Sequence, residues 1–267
     1  MVYKALTIAG SDCGGGAGIQ ADIKTFQELD VYGMSTITAI TAQNTVGVQG
    51  VYPASIEAVV QQMNSIHDDL RPDALKTGML FSSELIEAVA RHIKLFEWNN
   101  LVVDPVMIAK GGAKLLQEEA IRSLRESLIP LATVITPNIP EAEVLTERSI
   151  ETIEQRRKAA EILHKLGADY VVIKGGHGKE EELVDLLFDG STFHELKSTR
   201  IITKNTHGTG CTFAAAITAE LAKGSSVEEA VQVAKQFIHA AIRDDLRIGS
   251  GHGPTNHWAY RKEGIRV

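Results

Sequence analysis

Short apolar runs alternate with amphipathic stretches along nearly all of this 267-residue chain. The run at residues 1–9 reads as a first strand. Ile19, Ile23, Phe26 and Leu29 then recur at helical spacing across residues 17–30. Residues 34–42 are strand-like and residues 55–68 helical. Apolar runs at 74–77, 101–104, 133–136 and 170–174 predict strands that each end at a polar or glycine-rich loop. Helical patterns at 82–95, 118–128 and 153–166 separate them. Such alternation predicts an α/β fold of three layers, a mainly parallel central sheet flanked by helices.

Two segments break the pattern. Residues 47–52 follow a strand too closely for a helical crossover and predict an edge strand or flap. Residues 184–187 and 192–195, split by Phe188-Asp189-Gly190-Ser191, predict a hairpin. From Gly208 on the chain reads mostly as helix. It ends in a glycine- and histidine-rich tail, Gly249-Ser250-Gly251-His252-Gly253-Pro254, which reads as surface strand or coil in preference to a segment packed near the candidate loops. No linker, repeat or low-complexity tract intervenes, so a single domain over residues 1–267 is expected.

Hydrophobic residues at 44% suffice for such a core, and aromatics at 5% fit an aliphatic α/β protein. A formal charge of −7 argues against nucleic acid as the main partner, while a local positive corner can still hold an anionic substrate. No stretch approaches the roughly 18 apolar residues of a membrane span. The first residues lack the apolar segment and cleavage site of a signal peptide. Two cysteines are too few for a disulfide framework at this length, which points to a reducing compartment, and a cytoplasmic protein is expected.

Ligands of open α/β sheets collect beyond the carboxyl ends of the strands, where the candidate residues fall. Thr206-His207-Gly208-Thr209-Gly210-Cys211-Thr212 joins a glycine-rich turn to a strong helix former. It reads either as an anion-holding corner at a helix N-terminus or as a tight turn with a small buried cysteine. The loop from Gly10 to Gly18 fits neither G-x-G-x-x-G nor the P-loop pattern, which removes the warrant for a Rossmann dehydrogenase or a P-loop NTPase. It is either a flexible turn or backbone packed against a compact substrate, with Asp22 reaching back towards it. Asp104, Asn138 and Glu141 are oxygen ligands suited to Mg²⁺, and Asn138 with Glu141 equally resembles a capping box. Lys174, at a strand end, supplies a point charge for phosphates or merely closes the strand.

Taken together, several motifs resemble the ribokinase-like vitamin kinases. They are Gly10-Ser11-Asp12, Gly15 to Asp22, Thr77-Gly78-Met79-Leu80, Asp104-Pro105-Val106-Met107, Thr136-Pro137-Asn138, Glu141-Ala142, Lys174-Gly175-Gly176-His177 and His207 to Thr212. Thr41-Ala42-Gln43-Asn44-Thr45 narrows the resemblance to the hydroxymethylpyrimidine/phosphomethylpyrimidine kinase family of thiamine biosynthesis. The resemblance implies a ribokinase-like fold and ATP- and Mg²⁺-dependent phosphorylation of an aminopyrimidine alcohol and then of its monophosphate. Related pyridoxal kinases share most of the motifs, so pyridoxal kinase is the alternative activity. A non-catalytic ligand sensor on the same fold is a further one.

The resemblance also implies the residue roles. Gln43 reads the aminopyrimidine edge, and Gly10, Ala17, Asp22, Met79 and Val106 line the ring pocket. Gly208, Thr209, Gly210 and Cys211 form the anion hole, with Cys211 standing where related sugar kinases carry an aspartate base. A helix N-terminus lowers a thiol's pKa, so a thiolate near neutral pH is expected. Lys174 and Asn138 serve ATP, and Asp104 and Glu141 serve the metal. A homodimer formed through the sheet is expected by analogy with the family.

Overall fold

The computed structural model describes residues 2–107, 118–176, 182–262 and 264. Among the described residues nine strands form one sheet in the order β3-β2-β1-β4-β5-β6-β7-β8-β9. These are β1 (Lys4–Asp12), β2 (Tyr32–Asn44), β3 (Gly47–Pro53), β4 (Ala74–Thr77), β5 (Leu101–Val103), β6 (Val134–Ile135), β7 (Tyr170–Ile173), β8 (Glu182–Phe188) and β9 (Phe193–Thr199). Strands β2, β1, β4, β5, β6 and β7 run parallel. At the two edges β3 and the β8–β9 hairpin pair antiparallel. The expected edge strand and hairpin are therefore both present, each longer than its apolar core.

Alternation along the strands divides the core in two, because successive side chains leave opposite faces of a sheet. Leu6, Ile8, Leu75, Leu101, Val103, Ile135, Val171 and Ile173 join one buried cluster. It also holds residues of helices α2 (Ile56–Asp69), α3 (Ser83–Leu95), α4 (Glu118–Ser123), α5 (Ile139–Thr146) and α6 (Ile153–Lys165). Ala5, Ala74, Val102, Val134 and Val172 join the other, with α7 (Thr209–Ala222), α8 (Val227–Arg243) and α9 (Ala259–Lys262). Helix α1 (Gly18–Glu28) adds Phe26 to that second face. Three layers result, as predicted. Helix α7 is buried from Thr212 to Ala222, and its alanines let the backbone lie close against the sheet.

Boundaries shift where packing overrides pattern. β1 continues past residue 9 to Asp12, with a register shift between Ala9 and Ser11, so Gly10-Ser11-Asp12 ends the strand and does not follow it. The 118–128 pattern is helical only to Ser123 and continues as a wider π turn over Leu124–Leu128. His177, the last residue of the Lys174–His177 loop, lies outside the described residues.

Candidate active site

Strand order reverses between β1 and β4, which opens a crevice above their carboxyl ends. Asp12 organises the first loop there. Its buried carboxylate accepts the N–H groups of Gly14, Gly16 and Ala17 at 2.8, 3.1 and 2.9 Å. The start of α7 is pressed onto this loop. Gly208 has φ +83°, and a Cβ on it would overlap the carbonyl oxygen of Gly16. Only glycine satisfies both demands. No side chain caps this N-terminus, so its partial positive charge faces the crevice.

Facing that helix start are three ionisable groups from separate elements. Asp104 follows β5, Lys174 follows β7, and Glu141 lies in the first turn of α5. Lys174 Nζ donates to Asp104 Oδ1 at 3.3 Å. Asp104 Oδ2 is buried and has no hydrogen-bond partner. A Cβ on Gly210 would lie 3.4 Å from Lys174 Nζ and 3.8 Å from Asp104 Oδ2, so the helix N-terminus and the acid–lysine pair share one small space. Burial works against the charge on Lys174, but Asp104 and Glu141 outweigh it and hold the amine above the usual lysine range. Burial pushes the Glu141 carboxyl up to about 7, with Lys174 opposing and Asp104 reinforcing the rise.

Asn138 and Glu141 do form a capping box, each side chain accepting the other's backbone N–H at 2.8–2.9 Å. That box orients Glu141 and does not remove it from the crevice wall, which both residues line. Among the described residues no group of three or more His, Cys, Asp or Glu side chains converges as a metal cage. Asp104 Oδ2 and Glu141 are the oxygen donors open to a hard cation. That set suits an ion held otherwise by water and phosphate.

Two expectations need correction. Asp22 is not on the crevice wall. It is fully buried, 2.9 Å from the equally buried Lys76 Nζ and accepting from Thr7 Oγ1 at 2.6 Å. Burial alone would strip the charge from Lys76, but the carboxylates of Asp22 and Asp104 hold the amine cationic. Asp22 is thus the counter-ion of a lysine beneath the site. Nor is Cys211 a ready thiolate. Burial pushes its thiol up to about 12, with Asp22 and Asp104 adding to the rise; Lys76 and the Gly18 N–H oppose it without prevailing.

The remaining candidates meet where expected. Gly10, Ala17, Gln43, Met79 and Val106 line the same cleft as Gly208, Thr209, Gly210 and Cys211, a space of about 1800 Å³. The tail divides: Gly249, Ser250 and His252 are exposed coil, as expected, while the chain beyond them packs behind the His207 corner. Residues 253–257 are buried. His207 N–H donates to Gly253 O at 3.0 Å, and His252 N–H to Thr45 O at 2.7 Å. Tail glycines permit this approach, since a Cβ on Gly251 would overlap the Thr45 carbonyl. His207, which the sequence showed only as a motif member, sits between Asp12 and Gln43 at 2.8 and 3.3 Å. A histidine opening a glycine-rich corner was the one available signal.

One crevice that joins an uncapped helix start and an acid–lysine pair beyond the strand ends of this sheet defines a ribokinase-like small-molecule kinase. The family model described as phosphomethylpyrimidine kinase matches residues 12–256, and the chain belongs to that family. It is 59% identical to the hydroxymethylpyrimidine/phosphomethylpyrimidine kinase of Bacillus subtilis, over all of this chain and 98% of that one. The ADP complex of Bacillus subtilis pyridoxal kinase superimposes with a TM-score of 0.92 at 49% identity, covering 98% of this chain and 99% of the other. Staphylococcus aureus pyridoxal kinase in complex with AMP-PCP and pyridoxal gives 0.91 at 40% identity, covering 98% and 96%.

Proposed function

We propose that the chain transfers the γ-phosphoryl group of ATP to the hydroxymethyl group of 4-amino-5-hydroxymethyl-2-methylpyrimidine, and then phosphorylates the monophosphate to the diphosphate, for thiamine biosynthesis. The observation that carries this reading is the continuity of the cleft. Gln43 lies 3.3 Å from His207, and His207 directly precedes the Gly208–Cys211 corner. A ring read by Gln43 therefore presents its substituent to the phosphate site.

Within this reading Gly208, Thr209 and Gly210 offer backbone N–H groups to the moving phosphoryl group. Lys174 and Asn138 hold ATP phosphates, and Asp104 and Glu141 hold Mg²⁺. The bound ion neutralises phosphate charge, while the chain itself mainly positions the reactants. Cys211 accepts the hydroxyl proton in the first transfer through the small fraction of thiol that ionises. Both cysteines are free thiols, which supports a reducing cytoplasm as the compartment. A second copy of the chain covers the β2–β3 edge, where the cross-strand partners Ile40 and Tyr52 are 57% and 65% exposed.

The test is kinetic. The amide of Gln43 offers one acceptor and two donor hydrogens to a ring nitrogen beside an exocyclic amine. Gln43→Leu should lower kcat/KM for the aminopyrimidine by roughly 5- to 150-fold, the effect of unpairing such groups. Unchanged kinetics would remove Gln43 from the pocket. Faster turnover of pyridoxal than of the aminopyrimidine by the unaltered enzyme would favour the pyridoxal kinase reading.

A further inference from the structure

Hydrogen-bond roles around Gln43 conflict in one arrangement of its amide and agree in the other. Asp12 is buried and accepts three backbone N–H groups. Burial pushes its carboxyl up, but the hydrogen bond from His207 and those from the loop amides outweigh it and hold the group ionised. A carboxylate only accepts, so His207 Nε2, 2.8 Å from Asp12 Oδ2, carries a hydrogen. That is true of the neutral Nε2–H ring and of the cation alike. A ring nitrogen carrying hydrogen has no lone pair for the Gln43 amide nitrogen, 3.3 Å away.

The other end of the amide has a matching conflict. Thr41 Oγ1 lies 3.0 Å from Ser11 O and 3.1 Å from Gln43 Oε1, two acceptors for one hydroxyl proton. An amide's oxygen and nitrogen are alike in shape, and the network decides between them. With the amide turned over, no two donors face each other and the Thr41 hydroxyl has a single acceptor. The oxygen then shares the His207 Nε2–H with Asp12 Oδ2, as the longer branch of a three-centre bond, and the nitrogen donates to Thr41 Oγ1, whose own proton goes to Ser11 O.

We propose that His207 is a specificity-determining positioning residue. Held by Asp12, it turns the Gln43 oxygen towards itself and so fixes which donor–acceptor pattern the ring pocket reads. The ligand class selected is an aromatic ring with an amine donor beside a ring-nitrogen acceptor. A ring that presents the reverse pattern, or an oxygen in place of the amine, meets a mismatched amide. The imidazole has little freedom to turn. A Cβ on Gly16 would come within 2.6 Å of His207 Cδ2, and the His207 backbone is bonded on both sides to Gly253 and Thr255.

This inference rests on Gln43 reading the ring, and the experiment separates the two. KM and kcat are measured with the aminopyrimidine alcohol and with pyridoxal for His207→Leu, His207→Gln, Thr41→Val and Gln43→Leu. His207→Leu should raise KM for the aminopyrimidine by roughly 5- to 150-fold with kcat within about twofold, and narrow the preference over pyridoxal. KM for ATP should not change. His207→Gln, whose amide N–H reaches a similar position, should restore most of the loss, and Thr41→Val should shift KM in the same direction as His207→Leu. A fall in kcat equal for both substrates, a raised KM for ATP, or no rescue by glutamine would overturn the proposal, because His207 would then only brace the Asp12 loop. If Gln43→Leu itself leaves KM unchanged, the ring-reading role fails and this proposal with it.

Discussion

Cys211 lies between opposing influences. Loss of water and the carboxylates of Asp22 and Asp104 keep its thiol protonated, while Lys76 favours the thiolate. With the pKa near 12, the thiolate fraction grows about tenfold per pH unit across the neutral range. If the thiolate takes the hydroxyl proton, kcat of the first phosphorylation should climb between about pH 7 and 9. The second transfer, from an already ionised phosphate, should be nearly flat. Cys211→Ala should slow the first by about 10²–10⁴-fold and spare the second. A flat first-step profile in the unaltered enzyme would leave Cys211 as packing. Glu141 makes a second case. Its raised pKa contributes stability that is present below about pH 4.5 and is lost as pH rises through about 7. Metal needs the ionised form, so half-saturating Mg²⁺ should fall between about pH 6 and 8. Glu141→Gln should raise the requirement and abolish that trend; a superimposable Mg²⁺ dependence would make Glu141 a cap alone. Residue types at strand ends made most of this site legible. Asp22 was misplaced because its partner, Lys76, sits inside a four-residue strand that otherwise reads as apolar. A lysine in such a run was the missed signal.

Elements were legible where burial follows a local period, as in the alternation of Leu101, Val102 and Val103 between the two cores. The tail was not, because its placement depends on partners far away in sequence. Its burial has a measurable signature in His257, which shares a 3.0 Å hydrogen bond with Thr212 Oγ1. Burial, helped by the charge of Lys24, lowers its pKa to about 4. A depressed histidine means that the unfolded chain binds a proton the fold excludes. The stability involved is complete above about pH 6.5 and is lost as pH falls towards 4, by up to about 3 kcal/mol. Urea unfolding midpoints of the unaltered protein and of His257→Gln should therefore converge on acidification from about pH 7 to 4.5. Parallel curves would mean that His257 is hydrated in the fold.

For the molecule as a whole, the sheet has unequal edges. Strand β9 exposes mainly polar residues, whereas β2, β3 and the turn between them expose Tyr32, Ile40, Val46 and Tyr52. Exposed apolar residues on an edge strand invite pairing. Sedimentation velocity should find a dimer, and Ile40→Lys with Tyr52→Lys should yield a monomer that remains folded. A monomeric unaltered protein would dismiss this interface. The three-layer plan was legible because strand and helix alternate in sequence; the way one end of the chain closes on the other was not. Gly251 bonds to Thr45 across 206 residues, and His207 to Asp12 across 195. At about 5–20 residues per second, a ribosome takes roughly 10–40 s to travel from Thr45 to Gly251. During that interval the nascent Gln43 hairpin and Asp12 loop lack the tail that clamps them. If Gln43 reads the ring as proposed, substrate recognition is thus among the last properties the growing polypeptide acquires, long after its first strands are synthesised.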